Sequence, residues 1–255
     1  MSTILFEELD YRETPIGPIS LRRRHDPRLD RLVWEIKLGD EFLMSSAFTA
    51  SEVALARLAL ASLEQAQSAR SGTLPTAIDV VVGGLGLGYT ADAVLEHANI
   101  AELDVIDMLE AVIDWHTRGL VPLGSRLTGD QRCRLRQGDF FALAASDDGF
   151  DPARPGRRYD AILVDIDHTP DALLAPGNSG FYSEAGLAGV ARHLKPGGVF
   201  GLWSNEKPDD TFAARLAGVF ASARAEPVTF DNPLQQRPFT QTVYLAWSDV
   251  TPRHR

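Results

Sequence analysis

The sequence predicts an α/β protein in which helices cover both faces of a mostly parallel sheet, with a small antiparallel β-domain before it. Three observations support this prediction. From residue 76 onward, short apolar segments typical of strands alternate with segments of helical periodicity. A glycine-rich turn at 83–88 joins the first of these strands to the helix that follows it. Before residue 49, strand-like segments follow one another without a helix between them.

The N-terminal part, residues 4–45, has the pattern of short strands separated by turns. Its three strand-like segments read GPISLRRR, RLVWEIKLG and EFLMSS. The sequence Thr-Ala-Ser-Glu at 49–52 has the order of a capping box, and apolar residues at helical spacing follow it. We therefore predict an N-terminal β-meander domain over 1–48 and a larger domain over 49–255.

The larger domain has seven predicted strands. Five of them belong to the parallel part and read AIDVVVGG, IAELDVID, CRLRQGD, YDAILVDID and GGVFGLWS. The predicted helices between and after them read YTADAVLEHA, MLEAVIDWHTRGL, SEAGLAGVARHL and DDTFAARLAGVFASA. The segments EPVTF and TVYLAWS close the chain with no helical pattern between them, which predicts an antiparallel hairpin at one edge of the sheet.

Composition narrows the classes of function. The chain has 255 residues and a formal net charge of −10, so a nucleic-acid partner is not expected, because such binding depends on Lys and Arg. The basic segment at 21–28 is interpreted as a solvated turn or a local anion patch. No apolar segment has the length of a membrane span, and the acidic N-terminus differs from a signal peptide. The single Cys133 fits a reducing cytoplasm, and the spacing of the six His predicts no metal site.

The glycine-rich turn is the first candidate binding element. Its glycines, which stand where a strand ends and a helix begins, are Gly83, Gly84, Gly86 and Gly88. Glycine lets a ligand approach the backbone closely, and the helix N-terminus supplies free N–H groups. The alternative is a tight strand-to-helix turn that binds no ligand.

Two acids extend this candidate site. Asp107 ends the second strand of the parallel part, 19 residues after Gly88, where an acid accepts hydrogen bonds from ribose hydroxyls. Asp139 ends the third strand, where an acceptor for an adenine amino group is common. The spacing G-x-G-x-G and the lack of a Walker lysine disfavour a dinucleotide or a triphosphate. A nucleoside bound through ribose and adenine fits better, and S-adenosylmethionine is the common one. The alternative for Asp107 is a helix N-cap.

With these residues in place, the chain resembles the class I S-adenosylmethionine-dependent methyltransferase fold and, more narrowly, the spermidine synthase (polyamine aminopropyltransferase) family. The segments that carry the resemblance are LGDEFLMSS, VVGGLGLG, VIDMLEAVIDWH, QGD, YDAILVDIDHTP and LKPGGVF. The resemblance implies a Rossmann-like domain, a ribose-binding role for Asp107 and an adenine-side role for Asp139. It also implies a catalytic role for Asp165, and a homodimer.

One departure from the family concerns the donor. The glycine motif of aminopropyltransferases reads GGGDGG, and its aspartate holds the free amine of decarboxylated S-adenosylmethionine; Gly86 stands at that position here. The carboxylate of ordinary S-adenosylmethionine would be repelled by such an aspartate, by about 4 kcal/mol for charges about 4 Å apart at an effective dielectric of about 20. Glycine removes this repulsion, which favours the ordinary donor and methyl transfer. A neighbouring acid that compensates for the missing aspartate is the alternative.

The fourth strand of the parallel part ends in the candidate catalytic group. Asp165 is expected to orient or deprotonate an acceptor amine, and Asp165 is also expected near the donor. The family's second acid is displaced or lost, and we interpret Asp167 as a binder of a cationic acceptor and His168 as a possible base. The alternative for each of the three is a structural role.

Further along the chain, three residues are candidates for acceptor binding. Asn178 and Tyr182 lie in the segment 175–187, and Trp203 ends the fifth parallel strand. Packing roles are the alternatives, and a core position is the stronger interpretation for Trp203. No glutamine is assigned to a polyamine groove, although Gln235, Gln236 and Gln241 lie near the final hairpin.

The sequence therefore predicts a cytoplasmic S-adenosylmethionine-dependent transferase that methylates a small amine or amino-acid-like acceptor, without a metal. Aminopropyl transfer from decarboxylated S-adenosylmethionine to a diamine is the first alternative. A non-catalytic nucleoside-binding or scaffold protein is the second.

Overall fold

The structure, a computed structural model, describes residues 6–249, and its first sheet is an antiparallel meander. Its four strands, paired in chain order, are β1 (Phe6–Arg12), β2 (Ile19–Asp26), β3 (Arg31–Leu38) and β4 (Glu41–Ser45). The predicted meander is confirmed, and β1 is an additional strand that the sequence did not predict. Residues 1–5 of the predicted N-terminal domain lie outside the described residues. The predicted boundary between 48 and 49 stays a prediction.

The second sheet has seven strands in the order β10-β11-β9-β8-β5-β6-β7. Its strands are β5 (Ile78–Gly83), β6 (Ile100–Asp107), β7 (Cys133–Gln137), β8 (Tyr159–Val164), β9 (Leu194–Ser204), β10 (Ser222–Asn232) and β11 (Arg237–Trp247). Strands β5 to β9 pair in parallel, and β11 pairs antiparallel with both β9 and β10. The predicted mostly parallel sheet with an antiparallel edge hairpin is confirmed.

Seven α-helices accompany the sheets in the described part of the chain. They are α1 (Ala50–Ser71), α2 (Tyr89–Leu95), α3 (Glu110–Thr117), α4 (Gly124–Gly129), α5 (Phe140–Ala145), α6 (Glu184–Ala191) and α7 (Asp210–Val219), and a 3₁₀ turn covers Pro176–Gly180. The sequence did not predict α4 or α5, which have six residues each. None of the described helices is long and apolar enough to cross a membrane.

The second sheet separates two apolar cores, because successive side chains of a strand point to opposite faces. In β5, Val80 and Val82 pack in one core and Val81 packs in the other. Helices α1 to α4 cover the first face, and α5 to α7 cover the second. Burial on both faces explains the continuous apolar segments within β5, β8 and β9, such as Val80 to Val82 of β5.

The N-terminal sheet packs against the first face through α3. Fully buried Trp115 of α3 donates from Nε1 to Asp10 Oδ2 at 2.8 Å, and Trp34 Nε1 donates to the carbonyl of Leu120 at 3.1 Å. Ile36 of β3 belongs to the same core as α1 and β5. These contacts hold the N-terminal sheet beside the carboxyl ends of the parallel strands.

The start of α1 differs from the prediction. Thr49 is the N-cap residue, but its side chain makes no capping hydrogen bond, so the predicted capping box is wrong. The Glu52 carboxyl group instead lies beside the Ser51 hydroxyl, with 2.7 Å between the oxygens, and Glu52 is only 7% exposed. The acid that the motif placed at a helix cap is therefore a buried acid.

Candidate active site

A cavity of about 320 Å³ lies at the carboxyl ends of the parallel strands. It is centred where the chain changes direction across the sheet, since β6 and β7 lie on one side of β5 and β8 and β9 lie on the other. Open α/β sheets bind ligands at such a switch point. Strand β4 of the N-terminal sheet forms part of the wall through Phe42, Leu43, Met44 and Ser45.

The charge of the cavity is its most informative property. Four carboxylate side chains line it, those of Glu52, Asp107, Asp139 and Asp165. Among the described residues that line it, none is Lys or Arg, and most of the other lining side chains are apolar. A concave site of this charge favours a cationic ligand with apolar parts.

The glycine turn contributes two of its four predicted residues to the cavity wall, Gly84 and Gly86. Gly84 has a φ of +92°, and a Cβ there would overlap the backbone carbonyl of Asp165. Gly83 and Gly88 do not line the cavity; a Cβ at Gly83 would lie 2.6 Å from the Phe140 ring. Neighbouring residues therefore leave no room for a side chain at Gly83 or Gly84, whether or not a ligand is bound.

Asp107 lies at the end of β6 and faces both the turn and the cavity. Its Oδ2 accepts a hydrogen bond from the backbone N–H of Leu85 at 2.9 Å, and its Oδ1 accepts one from Leu109 N–H at 2.8 Å. Burial raises the pKa of this carboxyl, and the backbone hydrogen bonds oppose that rise. Each oxygen accepts more than one hydrogen bond, so the carboxylate can hold the turn and still bind a hydroxyl.

The Asp139 carboxylate caps a helix and also lines the cavity. Its Oδ1 accepts hydrogen bonds from the N–H groups of Phe141 and Ala142, at 3.0 and 3.1 Å, and so caps α5. It also lines the cavity on the same flank as Asp107, because β7 pairs with β6. The two capping hydrogen bonds fix the orientation of this carboxylate at the start of α5.

Met44 fills the space that a side chain at position 86 would occupy. The backbone N–H of Leu87 donates to Met44 Sδ at 3.0 Å, and a Cβ at Gly86 would lie 2.6 Å from the same sulfur. On the other side, His116 Nε2 donates to the carbonyl of Gly86 at 2.9 Å. Burial lowers the pKa of His116, so the ring is neutral near pH 7 and fixes the turn without adding charge.

We expect the change Gly86→Asp, which introduces the aspartate of the aminopropyltransferase motif, to abolish donor binding. Residue 86 has a φ of +47°, and the new side chain would overlap Met44 Sδ. Relief of the overlap displaces Met44 from Leu87 N–H and distorts the turn. Calorimetric titration with S-adenosylmethionine and its decarboxylated form measures the effect, and Gly129→Asp, at a glycine with open space around it, is the control. Tighter binding of the decarboxylated donor by Gly86→Asp would contradict this prediction.

Asp165 lines the cavity and lies immediately after β8. Its Oδ2 accepts a hydrogen bond from the Thr90 hydroxyl at 2.7 Å, and that hydroxyl also lies 3.3 Å from the backbone carbonyl oxygen of Glu52. Burial raises the pKa of Asp165 to about 6. The pKa of Glu52 rises to about 7, because of burial and the negative charge of Asp165.

Glu52 was not predicted as a site residue. The sequence did contain a signal for it. Glu52 precedes the apolar, buried Leu55 by three residues and Ala56 by four, and this spacing places it on the buried face of α1. Its partner Ser51 also accepts a hydrogen bond from Trp203 Nε1 at 2.8 Å and lies 2.6 Å from Gln241 Oε1. Trp203 lines the cavity and also anchors α1 through its hydrogen bond to Ser51.

Of the four predicted acceptor-side residues after β8, only two line the cavity. These are His168 and Asn178. Asp167 is 3% exposed, and its carboxylate accepts hydrogen bonds from Asn178 Nδ2 at 2.9 Å and from the Tyr182 hydroxyl at 2.8 Å. Neither Asp167 nor Tyr182 lines the cavity. Their contacts place both of them behind the cavity wall, where they hold the segment that carries Asn178.

The fold and the cavity define the class of this protein. It has the class I methyltransferase fold, in the form with an N-terminal antiparallel sheet that spermidine synthases have. A spermidine synthase in complex with the transition-state analogue AdoDATO superposes with a TM-score of 0.69, at 18% identity, over 96% of this chain and 75% of that chain. Human methyltransferase-like protein 13 in complex with SAH superposes with a TM-score of 0.54, at 20% identity, over 80% of this chain and 84% of that chain.

Sequence comparison identifies similar proteins that have a named activity. Putrescine N-methyltransferase 2 of Nicotiana attenuata is 28% identical over 128 residues, which are 50% of this chain and 31% of that protein. The matched part thus spans about a third of the relative's length. No protein-family model matches the chain.

Proposed function

We propose that this protein transfers the methyl group of S-adenosylmethionine to an amine bound in the cavity. The observation that carries the proposal is the charge of the cavity, where four carboxylates and no Lys or Arg are found among the described lining residues. The donor is a sulfonium cation, and an amine is an ammonium ion at neutral pH. Both ligands therefore gain from this negative potential.

We propose that the two ligands occupy opposite flanks of the cavity. Asp107 and Asp139 follow β6 and β7 on one flank of the switch point, and with Gly84 and Gly86 they form the proposed adenosyl site. Trp203 and Gln241 belong to β9 and β11 on the other flank, and with Glu52 they form the proposed acceptor site. Asp165 follows β8 between the flanks, where the transferred methyl group would lie.

In this arrangement the protein positions the reactants and takes a proton, since the sulfonium is already activated. We assign Asp165 to orient or deprotonate the acceptor nitrogen. His168 and Asn178 are proposed to contact the acceptor from the loop after β8. Asp167 and Tyr182 are proposed as positioning residues, because their hydrogen bond holds that loop in place. The cavity residues offer the donor no cation, so the backbone of the turn is proposed to bind its carboxylate.

Aminopropyl transfer from decarboxylated S-adenosylmethionine is the second candidate. The observation that favours it is the same lack of Lys or Arg among the described cavity residues, because the decarboxylated donor has no carboxylate to bind. Against it stand Gly86 at the place of the family's aspartate and the Met44 thioether that covers this position. The similarity to a putrescine N-methyltransferase also supports methyl transfer.

Two further properties belong to the proposal. A homodimer rests on the resemblance to spermidine synthases, and a cytoplasmic location rests on the single cysteine. Cys133 is partly buried and its pKa is raised to about 12 by burial, which makes the thiol unreactive.

The experiment that tests the proposal is a turnover assay with each donor and a panel of amines, read by mass spectrometry. The expected result is an amine that gains one methyl group when S-adenosylmethionine is the donor. A product that carries an aminopropyl group, formed only from the decarboxylated donor, would replace methyl transfer by the second candidate. Donor binding without any product from either donor would support the non-catalytic alternative.

A further inference from the structure

The contacts of Glu52 suggest more than a structural role. This acid lines the cavity, although it is on the buried face of α1 and only 7% exposed. The Thr90 hydroxyl lies 2.7 Å from Asp165 Oδ2 and 3.3 Å from the backbone carbonyl oxygen of Glu52, so one side chain contacts both the proposed catalytic acid and the start of α1. The Glu52 and Asp165 carboxylates line the same cavity, which has no Lys or Arg among its described lining residues, and the charge of Asp165 contributes to the raised pKa of Glu52. Two acids in such a site can share a proton or bind a cation.

The hydrogen bonds around Ser51 fit both protonation states of Glu52. Trp203 Nε1 donates to Ser51 Oγ, which has one hydrogen to give and two neighbours, Glu52 Oε2 at 2.7 Å and Gln241 Oε1 at 2.6 Å. If Ser51 donates to Gln241, then Glu52 must be protonated and donate to Ser51. If the Gln241 amide is flipped, so that its oxygen and nitrogen exchange places, its NH₂ group donates to Ser51. Ser51 then donates to an ionised Glu52.

The same flip of the Gln241 amide preserves its hydrogen bond with Asn205. Gln241 Nε2 lies 2.7 Å from Asn205 Oδ1, and turning both amides reverses the direction of this hydrogen bond without breaking it. The network therefore accepts gain or loss of a proton at Glu52 without leaving a buried polar atom unpaired. A cap or a purely structural acid does not need this property.

We propose, on the basis of the proposed methyl transfer, that Glu52 is a second catalytic residue, which with Asp165 binds the acceptor as an ammonium ion and takes its proton. The acceptor class is then an aliphatic amine with at least one N–H, and its alkyl part lies against Phe48 and Leu174. The ammonium gives one proton to the carboxylate pair, and the freed nitrogen lone pair forms the bond to the methyl carbon. The bond from that carbon to sulfur breaks, and its electron pair stays on sulfur as a neutral thioether.

The other charged or titratable groups near the pair do not replace it. Tyr89 of α2 interacts electrostatically with Glu52, and also with Arg31 of β3 and Asp92 of α2. The other titratable groups that line the same cavity are Asp107, Asp139 and His168. Asp92 is paired with Arg126, and burial raises the pKa of Tyr89. Because burial raises the pKa of Glu52 to about 7 and that of Asp165 to about 6, we expect the pair to hold about one proton near pH 6.5. A bound ammonium displaces that proton.

The test counts protons released when an amine binds, which needs no turnover. The protein is saturated with S-adenosylhomocysteine and titrated with 1,4-diaminobutane at pH 6.5 by calorimetry in two buffers of different ionisation enthalpy. The unmodified protein is expected to release about one proton per bound amine. Glu52→Gln, which keeps a partner for Ser51, is expected to release less than half as much and to bind the amine about tenfold more weakly.

Glu64→Gln is the matched control, because it makes the same change on the same helix, outside the cavity, and keeps an acceptor for Asn99. It should release the same number of protons as the unmodified protein. Equal proton release by Glu52→Gln and the unmodified protein would overturn the role of Glu52, as would amine binding without proton release. Failure of S-adenosylhomocysteine to bind the unmodified protein would instead refute the proposed function.

Discussion

Asp165→Asn is expected to lower the rate of methyl transfer by about 10²- to 10⁴-fold, the usual contribution of a general base. The amide has the shape of the carboxylate and can still accept the hydrogen bond of Thr90. It cannot take a proton from the acceptor nitrogen, and it attracts an ammonium ion much less than a carboxylate does. The rate is measured at saturating S-adenosylmethionine with the best amine of the panel.

The affinity of Asp165→Asn for the adenosyl ligand shows whether the loss of rate comes from catalysis or from donor binding. Asp165 lies between the two flanks of the cavity, whereas the proposed ribose and adenine contacts belong to Asp107 and Asp139. Asp165→Asn should therefore bind S-adenosylhomocysteine nearly as well as the unmodified protein. The exposed Asp148→Asn serves as the control for the change of charge. A transfer rate within about threefold of the unmodified protein would show that Asp165 is not the base.

Asp104→Ala is expected to lower the free energy of unfolding by about 3–5 kcal/mol, the usual effect of removing one partner from a buried ion pair. Asp104 of β6 has no exposed surface. Its carboxylate accepts hydrogen bonds from Arg136 Nε at 2.9 Å, Arg157 Nη1 at 3.0 Å and the Tyr159 hydroxyl at 3.1 Å. Without it, the Arg157 side chain, 9% exposed, loses a buried counter-charge.

Denaturant unfolding measures this loss of stability, and the exposed Asp148→Ala is expected to change it by less than about 0.5 kcal/mol. None of Asp104, Arg136, Arg157 and Tyr159 lines the cavity. The transfer rate per folded molecule should therefore stay at its original value in Asp104→Ala. Unchanged stability would mean that water or Glu102, which also pairs with Arg157, compensates for the lost carboxylate.

The parallel sheet could be predicted because its pattern is local. Strands that are buried on both faces contain continuous apolar segments, such as Val80 to Val82 of β5, which lies within the predicted strand AIDVVVGG. Strand β1 lacks that pattern, because four of its seven residues are charged and it is held to β2 by ion pairs such as Arg23 with Glu7. Helix α5 has only six residues, and its cap, Asp139, has the same sequence signal as a ligand-binding acid.

The site could be predicted on the adenosyl flank and less well on the acceptor flank. Gly84, Gly86, Asp107 and Asp139 lie at strand ends, and the carboxyl ends of parallel strands meet at one edge of the sheet. The acceptor flank depends on contacts between distant parts of the chain. Ser51 and Gln241 are 190 positions apart, and no local pattern joins them. For Glu52, the capping-box pattern gave a local interpretation that the orientation of α1 overrides.

The central claim is that an adenosyl donor binds against the glycine turn with its ribose on Asp107. Calorimetric titration of the unmodified protein and of Asp107→Ala with S-adenosylhomocysteine tests it most directly, with Glu110→Ala, an exposed acid of α3, as the control. We predict binding by the unmodified protein and the control, and an affinity about 10- to 100-fold lower for Asp107→Ala, from the loss of hydrogen bonds to a charged group. Equal affinities for all three proteins, or no binding by the unmodified protein, would contradict the claim.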